Sequence, residues 1–130
     1  MARRVTAALL DTSILIAAGS TLEEVPASSA ISVVTLGELH AGIHLARTDQ
    51  IRRLRQGRLD AVRRAFIPIP VDEPIAERFG EVLALARREK RTVKATDVLI
   101  VATALSTARA LATLDEAQAN LARAAGAVLA

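Results

Sequence analysis

Short apolar runs alternating with longer amphipathic segments predict an α/β fold of three layers, α/β/α, with a small central parallel sheet flanked by helices. Two further observations agree. The chain of 130 residues is the size of one domain, taken as residues 1–130, and is long enough to bury a substantial core. Apolar residues make up 52% of it but aromatics only 2%, so a core with Phe66 and Phe79 as its only rings must be packed from Ala, Leu, Val and Ile.

Residues 5–10 read as a buried strand, and residues 12–18 switch to helical sequence that Gly19 ends. Residues 26–29 are a turn, residues 30–34 a second strand, and a helix begins at Thr35 and runs to about residue 47. Residues 48–65 form an amphipathic helix with an apolar stripe of Ile51, Leu54, Leu59 and Val62, arginines around the rest, and Gly57 as a weak point. Pro68 and Pro70 make residues 67–71 an edge strand, because proline cannot donate to a sheet ladder. Asp72 then caps a helix to about residue 90. Residues 95–108 are apolar on nearly all sides and predict a central helix. A strand at 110–113, a helix at 115–124 and a last strand at 127–129 complete the chain.

The formal charge is +3, and Lys90 and Lys94 are the only lysines. An arginine-based excess suits phosphate, since the guanidinium is a planar fork of donors, and a mildly basic surface also serves solubility alone. With no cysteine there is no disulfide, thiolate-bound zinc or thiol nucleophile. The start resembles a signal peptide, but Asp11 falls inside its would-be apolar region and no apolar run is long enough for a membrane span, so the expectation is a cytoplasmic protein without membrane contact. GxGxxG, GxxxxGK[ST] and GxSxG are all absent, which leaves dinucleotide binding, P-loop chemistry and serine hydrolysis without their loops.

Asp11, Glu38, Asp97 and Asp115 instead stand inside or at the ends of apolar runs, with no Arg or Lys within two residues of any of them. A buried carboxylate must be neutralised by a proton, a base or a cation. Ligands of open α/β sheets bind beyond the carboxyl ends of the strands, where these acids converge in the expected topology. Hard divalent cations prefer carboxylate oxygens, and Mg²⁺ so held activates water and shields a phosphate undergoing displacement. Each acid also has a structural explanation. Thr35 and Glu38 have the spacing of a capping box, Asp97 suits the first turn of a helix, Asp115 can cap the last helix, and Asp11 can serve a turn. Capping does not explain why all four occur together at positions expected to face one crevice.

His40 and His44 are spaced like a zinc pair, but Glu38 points about 160° to 200° away from His40 on a helix. Ala41 follows His40, so HEXXH is absent and the histidines read as surface residues. The run RREKRTVK at residues 87–94 leads toward Asp97 and suggests Arg91 and Lys94 as RNA contacts at the lip of the acidic site, or a solvated helix end.

LLDTSILIA, TLGELHAGI, ATDVLIVATAL and LATLDEAQ, in this order and collinear over essentially the whole chain, resemble the PIN-domain family and within it the VapC-like toxins of bacterial toxin–antitoxin pairs. The resemblance implies a PIN-like fold, with Asp11, Glu38, Asp97 and Asp115 as the catalytic and metal-binding acids and with Thr12, Ser13 and Thr113 as supporting hydroxyls. It implies an endoribonuclease that uses Mg²⁺, or Mn²⁺, to activate water against an RNA phosphate. It also implies homodimers and a cognate antitoxin that silences the enzyme. The family's usual ending has a second acid three residues beyond the Asp115 position, followed by an aromatic, where this chain has Gln118 and Ala119. Two other readings compete: a housekeeping RNA-processing nuclease of the same fold, and a non-catalytic module that binds RNA or protein, which the departure at Gln118 keeps open.

Overall fold

The computed structural model describes residues 7–18, 25 and 28–130. The expected strand at residues 5–6, the break at Gly19 and the turn at residues 26–27 lie outside them. Two strands pair in parallel, β1 at Ala8–Leu10 and β2 at Ala110–Ala112, with Leu9 opposite Leu111. Single parallel bridges join Leu9 to Ala30, Ser32 to Ile69 and Leu111 to Leu129. The segments around Ile69, Ala30, β1, β2 and Leu129 therefore lie side by side in that order.

Three expected strands shrink to these bridges for identifiable reasons. Ser32 caps α2, at Val33–His44, so the extended chain ends before Val33 and the helix begins two residues ahead of Thr35. Pro68 and Pro70 carry no amide hydrogen, so the ladder is interrupted on both sides of Ile69, whose amide donates to the Ile31 carbonyl at 2.9 Å. At the far side Leu111 donates to the Val128 carbonyl at 2.8 Å, and Ala130 donates back to Leu111 at 2.9 Å.

The remaining helices are α1 at Thr12–Ala18, α3 at Asp49–Ala65, α4 at Glu73–Arg88, α5 at Ala95–Ser106 and α6 at Glu116–Ala124. Thr48 and Asp72 cap α3 and α4 through their side chains, onto the amides of Ile51 and Ile75. Gly57 does not interrupt α3. Lys90, at φ 54°, turns the chain out of α4 in the left-handed region two residues after the helix ends.

Strand alternation divides the core into two faces. Leu9 and Leu111 pack with Val82 and Ala86 of α4, Val98 and Val101 of α5, and Leu121 of α6. Leu10 and Ile31 pack the other way, with Leu15 of α1, Leu39 and Ile43 of α2, and Leu59 and Val62 of α3. Each fully buried aliphatic side chain contributes roughly 2 kcal/mol of transfer free energy, so these two layers hold the sheet in place despite its short ladders. The central position expected for α5 is realised, with every residue from Ile100 to Ala104 buried.

The stripe expected on α3 is corrected. Leu54 is 67% exposed, whereas Arg55 and Arg58 are half-buried and share the helix face of Leu59 and Val62. Positions 55, 58, 59 and 62 follow the i, i+3, i+4, i+7 pattern, so two arginines occupy places that the rule reserves for apolar residues.

Candidate metal and nucleic-acid site

Asp11 leaves the end of β1, where its amide still donates to the Ala112 carbonyl at 2.9 Å. Its side chain is buried, and Oδ2 accepts hydrogen bonds from Ser13 Oγ and Thr113 Oγ1, each at 2.8 Å. The two hydroxyls lie 3.3 Å apart and also accept backbone amides, Ser13 from Leu114 at 2.9 Å and Thr113 from Asp115 at 3.0 Å. One carboxylate oxygen thus joins the chain after β1 to the chain after β2. The fixed direction of Asp11 follows from adjacent parallel strands ending together.

Glu38 is the sixth residue of α2, and its Oε1 accepts a 2.6 Å hydrogen bond from Thr12 Oγ1. The capping-box explanation is excluded here, because Ser32 is the cap and Thr35 is buried within the helix. Asp97 stands in the first turn of α5, whose cap position, Lys94, makes no side-chain cap bond. Asp115 does cap α6, with Oδ1 accepting the Gln118 amide at 3.1 Å, so its structural explanation holds in part.

The Asp97 carboxyl responds to the other three acids. Its carboxyl is pushed above the usual carboxylate range by its own burial first, then by the like charges of Glu38, Asp11 and Asp115, against a smaller opposing pull from Lys94. Among the described residues no three acid or histidine side chains stand close enough to enclose one ion. The two observations concern different ranges, since Coulombic coupling reaches across several ångströms and coordination does not. The donor set suits a hard cation that takes one or two carboxylates directly and fills its remaining positions with water, as Mg²⁺ does.

Arg91 is drawn to Glu89 at 2.6 Å and is partly neutralised, while Lys94 is exposed beside Asp97. His40 and His44 are both exposed, as expected of surface histidines. Gln118 is buried, and its Nε2 donates to the Asp97 carbonyl at 3.1 Å, tying α6 to the first turn of α5. Its departure from the family pattern is thus a packing contact within this site.

Beside the acids lies a cavity of about 210 Å³ lined by Ile16, Glu38, Leu39, Gly42, Arg55 and Arg58. The two arginines were missed when all of α3's cations were assigned to its outer side. Their place on the buried stripe was the available signal.

The PIN domain family model matches residues 8–124. Ribonuclease VapC8 of Mycobacterium tuberculosis is 39% identical over 100 residues, covering 74% of this chain and 88% of that protein. Ribonuclease VapC5 of the same organism is 35% identical over 114 residues, covering 85% and 84%. The crystal structure of VapBC-5 from M. tuberculosis, a member of the VapBC family of toxin–antitoxin systems, superposes with a TM-score of 0.79 at 33% identity, covering 95% of this chain and 94% of that one.

Proposed function

This chain belongs to the PIN-domain family, and on that premise we propose that it is a divalent-cation-dependent endoribonuclease, the toxin of a toxin–antitoxin pair, held silent by a cognate antitoxin. The observation that carries the reading is that Asp11, held at the end of β1 by Ser13 and Thr113, acts together with Glu38 and Asp115 on the half-buried Asp97 carboxyl, against the pull of Lys94. The ribonucleases VapC8 and VapC5 among its relatives, and the toxin–antitoxin complex among its structural neighbours, support the activity and the partner. The proposed setting is the cytoplasm, where RNA and antitoxin would both be available, and the proposed assembly is a homodimer.

Asp11, Glu38, Asp97 and Asp115 would be the residues that hold Mg²⁺ or Mn²⁺. The bound cation would neutralise charge at the phosphate and lower the pKa of a coordinated water. The chain's own residues prepare that chemistry. Ser13 and Thr113 fix the direction of Asp11 Oδ2, and Thr12 fixes Glu38 Oε1, so the carboxylates are oriented before a cation arrives. Lys94 at the rim favours approach of an RNA backbone to a pocket whose acids would otherwise repel it.

The test is cleavage of a mixed cellular RNA pool by antitoxin-free protein, in Mg²⁺ or Mn²⁺ against EDTA, with Asp97→Asn in parallel. Discrete products that require both cation and Asp97 are expected. Folded protein that leaves the pool intact in either cation would overturn the reading, and growth arrest on expression without the partner separates a toxin from a housekeeping nuclease.

A further inference from the structure

The cavity between α2 and α3 contains one acid of the site, Glu38, and two cations, Arg55 and Arg58. One turn of α3 separates the arginines, so both project from the face that meets α2. Arg55 is anchored by donating Nη1 to the Gly42 carbonyl, and a Cβ added at Gly42 would meet the Arg55 stem only at ordinary contact distance. Arg58 has its Nε buried, with no hydrogen-bond acceptor among the described residues. Among the described residues neither arginine forms an ion pair, although three other arginines of the chain do, each with an acid two or three residues away.

A cation held without an acceptor is costly, and an anion that meets the Nη groups of the same guanidinium neutralises its charge and offsets that cost. The guanidinium fork matches the oxygens of a phosphate, and the cavity opens against the same Glu38 that faces the acid cluster. Thr12 holds Glu38 Oε1 by a hydrogen bond, which keeps that oxygen directed toward α1. A nucleic-acid strand whose scissile phosphate lies at the acids necessarily presents another phosphate one nucleotide away.

We propose that Arg55 and Arg58 form a subsite for the RNA phosphate that flanks the one at the acid cluster, with Arg58 as its main donor and Arg55 as its pre-set second. The subsite rests on the ribonuclease reading, since it takes the strand's position from the acids. It supplies binding and register along the strand. The exposed Ile16 beside it offers an apolar surface on which the intervening nucleoside can rest.

The experiment measures binding of a fluorescent, mixed-sequence single-stranded oligoribonucleotide to the Asp97→Asn protein over a range of monovalent salt, with and without Arg58→Gln. Arg58→Gln should weaken binding about tenfold, the loss expected of a charge-assisted hydrogen bond. It should also reduce the slope of log affinity against log salt by about 0.7, the release expected for one phosphate contact on a single strand. Arg58→Lys, which keeps the charge without the fork, should keep the slope and still bind several-fold more weakly. It decides the matter if the glutamine variant does not fold. A parent protein that binds no RNA at any salt would overturn the ribonuclease reading together with the subsite. A parent that binds, alongside folded Arg58 variants of equal affinity and slope, would overturn the subsite alone, including the case in which the cavity proves to take a carboxylate of a partner protein.

Discussion

Thr12 Oγ1 donates a 2.6 Å hydrogen bond to Glu38 Oε1, linking the first turn of α1 to the middle of α2 across 26 residues of sequence. The bond decides which way the glutamate points. Thr12→Val keeps the shape and removes the donor, leaving Glu38 free to rotate. A supporting partner of this kind is worth roughly 10- to 100-fold in metal affinity or activity. The expected result is a rise in the Mg²⁺ concentration needed for half-maximal RNA cleavage with little change in thermal stability; an unchanged cation requirement would count against the role given to Thr12.

Asp97 makes stability depend on pH in a direction set by its environment. Burial and the like charges of Glu38, Asp11 and Asp115 raise its folded-state pKa, so the folded protein favours the protonated carboxyl. That contribution is fully present below the unfolded pKa and is lost as pH rises through the raised folded value. Without divalent cation, wild-type protein should therefore lose stability relative to Asp97→Asn as pH rises above the usual carboxylate range. Added Mg²⁺ should restore the wild type and not the variant. Denaturant unfolding across that pH range tests both, and parallel curves would show that Asp97 carries no such strain.

Asp115 has two functions that substitution can separate. Its Oδ1 caps α6 by accepting the Gln118 amide at 3.1 Å. Asparagine caps a helix as well as aspartate, whereas alanine forfeits about 1 kcal/mol. Asp115→Asn should keep the unfolding midpoint and lose cleavage, while Asp115→Ala should lose both. Full activity in Asp115→Asn would reduce the residue to a cap.

Gln118 is a buried amide with only part of its hydrogen-bonding capacity used. Nε2 reaches the Asp97 carbonyl, and Oε1 is buried without a partner among the described residues. Gln118→Leu removes the bond and the orphan together, so its net cost should stay within about 1 kcal/mol. Gln118→Ala opens a cavity and should cost about 2 kcal/mol. Chemical denaturation orders the pair. Cleavage by Gln118→Leu at near wild-type rate is expected, and its loss would give the amide a part in the reaction.

Much of the site was legible because acids inside apolar runs are conspicuous. Asp11 after AALL and Asp97 before VLIVATAL could be singled out without any coordinates. Hydroxyls at Thr12, Ser13 and Thr113 took meaning from the family resemblance, and only the structure shows which acid each one bonds, Glu38 for Thr12 and Asp11 for the other two. The start of α2 was misplaced because Ser32 and Thr35 are both competent caps. Spacing to Glu38 favoured the threonine, whereas the bridge from Ser32 to Ile69 fixes the serine as the last extended residue.

Local sequence determined the helices, since their caps and apolar faces are properties of neighbouring residues: Thr48 and Asp72 each cap within three positions, and α5 is apolar all round. It also singled out Asp11, Glu38, Asp97 and Asp115 as acids set beside or inside apolar runs. Tertiary structure alone decided how far each strand extends, because ladder length depends on which distant backbone lies alongside. It likewise decided that Arg55 and Arg58 turn inward to share a cavity with Glu38. A charged residue on a stripe position can be covered or exposed with equal local propensity, and only the packing of α3 against α2 distinguishes the two.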